Sequence, residues 1–164
     1  MSVTVIPRIL TTTGLAALVR DVAWDRSRWE PLVEYHAEKR YWVRLDPPAD
    51  LRDSVDLWLL TWLPGQTTQP HDHGDSAAAF QVVRGSITEL QWGADGSRTS
   101  ARLQPGQSRQ VPVGAVHDVV NLASEPAVSI HAYSPRLTHM TYYRVDGSGL
   151  WAERVVESDD PDSE

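Results

Sequence analysis

The stretch PHDHGDSAAAFQVVRG, residues 70–85, sets His71 and His73 two apart. In an extended chain, side chains at i and i+2 share a face, so the two imidazoles address one point in space, as metal ligands do. Such a pair by itself also fits a surface turn. Further along, His117 lies in GQSRQVPVGAVHDVVN (106–121), and SIHAYSP (129–135) sets Ser129, His131 and Tyr133 at i, i+2 and i+4. An alternating polar set of that kind either faces water or lines a polar interior. Neutral imidazoles suit a borderline divalent metal, iron among them. The chain has no cysteine. Disulfides, thiolate ligands and a cysteine nucleophile are therefore excluded, and a reducing compartment, the cytoplasm, is expected.

The elements that must position these residues are short. The stretch TTTGLAALVRDV, residues 11–22, repeats apolar side chains at Leu15, Leu18, Val19 and Val22 behind a threonine-rich start, which predicts an amphipathic helix. A second helical turn is expected around RWEPLVEYHAEK. From Tyr41 the character changes to ten short β-branched or aromatic runs separated by turn signals such as DPPAD, PGQ, GADG, QPGQ and DGSG. Strands in that number, with no helical pattern between them, predict an antiparallel sandwich or small jelly-roll barrel. At 164 residues one domain is expected. Its parts are an N-terminal helical segment (1–40) packed on a barrel (41–156), then an acidic, disordered tail (157–164).

The net charge of −7 is mostly that tail, because its five acids (Glu157, Asp159, Asp160, Asp162, Glu164) account for all but −2 of it. Nothing in the body suggests a basic nucleic-acid surface. The opening MSVTVIPRILTTTGLAALVR makes a poor secretory signal, and no apolar run reaches the length of a membrane span. No nucleic-acid or membrane partner is expected.

Gly106, Pro112, Gly114, His117 and Asn121 match the second motif of the cupin superfamily at each fixed position. GQTTQPHDHGDSAAAFQVVRG resembles the first, with Gly65 six before His71 and Gly85 closing it. The resemblance implies a double-stranded β-helix holding a divalent metal on His71, His73 and His117. The usual first motif has a glutamate where this sequence has Ala78, and Ala77 and Ala79 offer no carboxylate either. A missing anionic ligand leaves a metal more positive and opens a coordination position, which suits an anionic substrate. Alternatives are that Asp72 or Asp75 serves as a fourth ligand, or that the histidines are packed polar groups of a cupin without metal.

SIHAYSP is similar to the serine-histidine-tyrosine triad of the thiol dioxygenases, the cysteine dioxygenase family, with that family's following Ser-Pro. The absent glutamate is another of its traits. The resemblance implies an iron(II) enzyme that adds both atoms of O2 to the sulfur of L-cysteine, giving the sulfinic acid. His71, His73 and His117 would hold the iron. Tyr133 would hydrogen-bond substrate or oxygen, held in place by His131 and Ser129. The family's early arginine, which binds the substrate carboxylate in a Tyr-x-Arg setting, corresponds in RYWVRL to Arg44, with Trp42 at the tyrosine position and Arg40 as the competitor. Animal members carry at the Ala78 position a cysteine cross-linked to the triad tyrosine. No such cross-link can form here, and the chain resembles the bacterial type.

Competing readings are a 3-mercaptopropionate dioxygenase, a non-catalytic cupin sensor of a metal or small acid, and a metal-dependent isomerase. A monomer or weak homo-oligomer is expected. His36 and His139 read as structural or exposed. Trp58 and Trp62 read as core, and Trp24, Trp29 and Trp151 as packing the helical segment and last strand onto the barrel. Gln81 reads as sheet packing or a reach toward substrate.

Overall fold

A computed structural model describes residues 6–157; the expected tail, apart from Glu157, lies outside these. Helix α1 (Thr12–Trp24) starts where Thr11 caps it, its side chain accepting the Gly14 N–H at 3.1 Å. Leu15, Leu18, Val19 and Val22 are buried along one stripe, as their spacing requires. The expected second helical turn is short and does not extend into a helix. Single 3-10 turns occur at Arg26–Arg28 and Glu30–Leu32, and Val33 is extended (φ −71°, ψ 119°). The backbone here finds partners elsewhere: Thr61 Oγ1 donates to Glu34 O (2.6 Å) and Gln66 Nε2 to His36 O (2.9 Å).

Ten strands follow: β1 (Trp42–Arg44), β2 (Asp56–Trp62), β3 (Ala77–Arg84), β4 (Ile87–Trp92), β5 (Arg98–Leu103), β6 (Ser108–Val111), β7 (Val116–Val120), β8 (Ala127–Ser134), β9 (His139–Asp146) and β10 (Gly149–Glu157). Each expected strand is present. One antiparallel sheet has the order β1-β2-β8-β3-β6, a second β5-β4-β7, and β9 pairs with β10. Residues 67–71 link the last two groups through isolated bridges, Thr67 and His71 to β7 and His71 to Tyr142 on β9. The result is the double-stranded β-helix architecture, although among the described residues the ladders do not close a ring.

Every residue of β2 and β8 is buried, so alternation divides them between two cores. Leu57, Leu59, Val128, Ile130 and Ala132 face outward onto α1 together with Ala77 and Ala79 of β3. Trp58, Leu60, Trp62, Tyr133, Ala78, Phe80 and Val82 face the interior. Trp29 is buried as expected and donates from Nε1 to Ala23 O. Trp24 and Trp151 do not pack onto the body: they are 90% and 49% exposed. Trp24 ends α1 outside its buried stripe, and Trp151 lies on β10, which among the described residues pairs only with β9.

Candidate metal centre

His71 comes from the bridging segment between β7 and β9, His73 lies two residues on, just before a turn, and His117 is on β7. The HDH pair thus lies in an extended segment held by isolated bridges, not in a strand proper. Gly74 turns the chain immediately afterwards at φ +58°, and a Cβ there would strike the His139 ring. Asp72 points the other way, as alternation requires. Its Oδ2 accepts from Tyr143 OH (2.7 Å) and its Oδ1 from the Thr141 and Gly74 N–H groups, fixing the loop to β9. Asp75 is exposed. Neither acid joins the histidine cluster.

His71 Nε2 lies 3.1 Å from His73 Nε2, which lies 3.4 Å from His117 Nε2, and the three are buried. Bonds of about 2.1 Å to a common cation at roughly octahedral or tetrahedral angles would separate donors by about 3.0–3.4 Å, as these two pairs are, while the three ligand atoms together lie within 4.8 Å of one another. The hydrogen bonds on the far side of the rings strengthen that fit. His71 Nδ1 donates to Gln69 O (2.8 Å) and His117 Nδ1 to the Glu89 carboxylate (2.9 Å), so both present bare Nε2 lone pairs to the centre. Lone pairs converging in a buried space call for a cation between them. Burial, followed by repulsion from neighbouring histidines, holds His71 and His73 well below the ordinary imidazole range, so both are neutral and ready to ligate. Gln69, whose carbonyl orients His71, has a positive φ of 66°, a conformation costly for a residue with a side chain.

Ala78 is paired directly with Tyr133 across β3 and β8, both facing inward. Around them β8 is flanked by Trp58 and Leu60 of β2 on one side and Phe80 and Val82 of β3 on the other. The polar run of β8 therefore lines the interior, not the solvent face. Trp62 Nε1 donates to Ser129 Oγ (2.8 Å), and the Ser129 hydroxyl donates on to His131 Nε2 (2.7 Å), leaving the His131 proton on Nδ1. The His131 ring stacks on Phe80 at 4.9 Å. Burial, with repulsion from His117 and Arg40, pushes its pKa down to about 3. Tyr133 meets the cluster through its ring, edge-on to His73 at 5.0 Å, and burial raises its hydroxyl well above the ordinary phenol value.

The two arginines differ. Arg44 is on the Trp58 side of β1, its guanidinium 4.3 Å from that ring and 3.4 Å from Asp56 Oδ1, with a side chain 39% exposed. Asp56 also receives Arg136 and the Leu137 N–H. Arg40 is 7% exposed, 4.9 Å over the Trp62 ring, and its charge acts on His71, His131 and Tyr133. Trp42 packs edge-on to Trp58 at 4.6 Å. Gln81 lies outside this interior, in a cleft with Trp24 and Trp29. Glu89 was missed in the sequence, although its parity with Ile87 on β4 places it inward.

The fold and this cluster define a cupin with a buried three-histidine cluster that could hold a metal ion. The sequence matches the family "Cysteine dioxygenase type I" over residues 11–145. The chain belongs to that family. Cysteine dioxygenase type 1 of Rattus norvegicus is 27% identical over 115 residues, 60% of this chain and 58% of the rat protein. The matched region thus spans little more than half the length of that relative. Among solved structures, a protein of Thermus thermophilus is 24% identical with a TM-score of 0.56, covering 65% of this chain and 92% of its own. A protein of Klebsiella pneumoniae with a double-stranded β-helix domain is 17% identical (TM-score 0.55), covering 76% and 94%. These two bear on the fold.

Proposed function

We propose that the protein is an iron(II)-dependent thiol dioxygenase that converts L-cysteine, or a similar carboxylated thiol, to its sulfinic acid. The observation that carries this reading is the convergence of three Nε2 atoms beside the Ser129–His131–Tyr133 run, with Ala78 where a ligating acid would stand, in a chain of the cysteine dioxygenase family.

Iron(II) held by His71, His73 and His117 would supply a site for thiolate and dioxygen. The protein's own part follows from its residues. Ala78 leaves room beside Tyr133, and a substrate thiolate provides the negative charge that the ligand set lacks. Arg40 is the better-placed group for the carboxylate, since its buried guanidinium already acts on His71, His131 and Tyr133. A planar guanidinium suits that task because it can hold a carboxylate through two N–H donors. Arg44 and Trp42 border the same interior and shape its rim. Tyr133, protonated at neutral pH, donates its hydroxyl to substrate or oxygen. His131 stays neutral and fixed by the Trp62–Ser129 chain, so it positions without competing for the metal.

The test is oxygen uptake after anaerobic reconstitution with iron(II). Uptake with cysteine, less with 3-mercaptopropionate and little with cysteamine is expected; none with any thiol would sink the reading. Arg40→Gln should raise KM for cysteine at least tenfold more than Arg44→Gln does.

A further inference from the structure

Glu89 is a buried carboxylate, 2% exposed, that the reaction described above does not use. It pairs in register with Val119, which sets it diagonally across the ladder from His117, and its Oε2 accepts the His117 Nδ1 proton at 2.9 Å. Its Oε1 lies 3.5 Å from Arg109 Nε on β6. The Arg109 side chain is 40% exposed and borders a polar cleft of about 560 Å³ that Glu89 also lines. The carboxylate is wedged between a metal-ligand imidazole inside and a guanidinium that reaches the surface.

Burying a carboxylate in such a place carries a desolvation cost that a neutral acceptor would avoid. A neutral glutamine would orient His117 equally well. What only the acid adds is charge. We propose that Glu89 is a positioning and charge-setting residue that supplies, through His117, the negative charge absent from the three neutral ligands and Ala78, and that Arg109 attenuates it. A carboxylate on Nδ1–H makes the imidazole a stronger donor at Nε2, which tightens metal binding and favours the more oxidised ion. The guanidinium on the other oxygen draws that charge away from the metal. The inference rests on the three histidines as a metal site and is independent of the thiol chemistry.

The test measures cobalt(II) affinity of the full chain by chelator competition, and the midpoint potential of the iron-loaded protein. Glu89→Gln should weaken cobalt(II) binding about tenfold and raise the potential. Arg109→Gln should do the opposite, tightening binding and lowering the potential. A purely structural Glu89 would give affinities within twofold of wild type at unchanged potential, and that result overturns the proposal, as do shifts of the same sign in both variants. If Glu89→Gln fails to fold, Arg109→Gln decides alone: an unchanged or raised potential overturns it. Wild-type protein that binds no cobalt(II) or iron(II) would remove the metal site itself, whereas absent thiol turnover with metal bound would leave this proposal standing.

Discussion

The two faces of β8 carry alternate residues of one strand and have become two different interiors. Outward, Val128, Ile130 and Ala132 pack with Leu57, Leu59 and helix α1 in an apolar core. Inward, Ser129, His131 and Tyr133 join Trp62, Phe80 and the metal-ligand histidines in a hydrogen-bonded one. The difference shows how one strand divides its work. A side chain on the first face stabilises the fold by burial. On the second, Trp62, Ser129 and His131 are joined in a hydrogen-bonded chain, while His73 Nδ1 and Trp58 Nε1 are buried without a hydrogen-bond partner.

The comparison breaks if either face can be altered with the consequences assigned to the other. The largest effect belongs to His117→Ala, which should lower iron(II) or cobalt(II) affinity more than a hundredfold while the protein still unfolds cooperatively. Ile130→Ala, one residue before His131, should cost about 2–5 kcal/mol in urea unfolding and leave metal affinity of the folded protein within twofold. Next comes Tyr133→Phe, expected to slow thiol-dependent oxygen uptake at least tenfold at unchanged iron content.

Protons sharpen the same contrast. Burial holds His71, His73 and His131 below the ordinary imidazole value in the folded chain. The unfolded chain therefore takes up protons first as pH falls through about 6.5, so the stability is fully present above that pH and is lost below it. The loss should be about 1.4 kcal/mol per pH unit for each histidine in metal-free protein, continuing for His131 toward its folded pKa of about 3. Ile130→Val should shift that curve of unfolding energy against pH without changing its slope. The smallest effect is expected from Gln69→Gly. It relieves the positive φ, and melting should move by a few degrees at most, with metal affinity falling less than tenfold because the His71 acceptor is a backbone carbonyl.

Alternation made the strands and the two faces legible, since Trp58, Leu60 and Trp62 share parity, as do Ser129, His131 and Tyr133. That the three histidines come together was legible because the HDH segment and the segment around His117 resemble the two cupin motifs. Arg40 was harder to place. It precedes β1, where no alternation applies, and follows residues 33–39, which form neither helix nor strand. Glu89 looked like an ordinary polar residue of a half-exposed strand, because its burial depends on β4 lying between β5 and β7, a pairing that no local pattern encodes. Trp24 misled for the converse reason: a large aromatic side chain suggested packing, whereas its position on the helix leaves it exposed.

Three neutral ligands and a vacated acid position are proposed to make a site for an anionic thiol and dioxygen. Iron(II)-reconstituted protein given L-cysteine under 18O2 tests it most directly, with the product read by mass spectrometry. Cysteine sulfinic acid carrying two 18O atoms, formed in proportion to iron content, is expected. Oxygen consumption without sulfinate, or sulfinate with a single label, would contradict it.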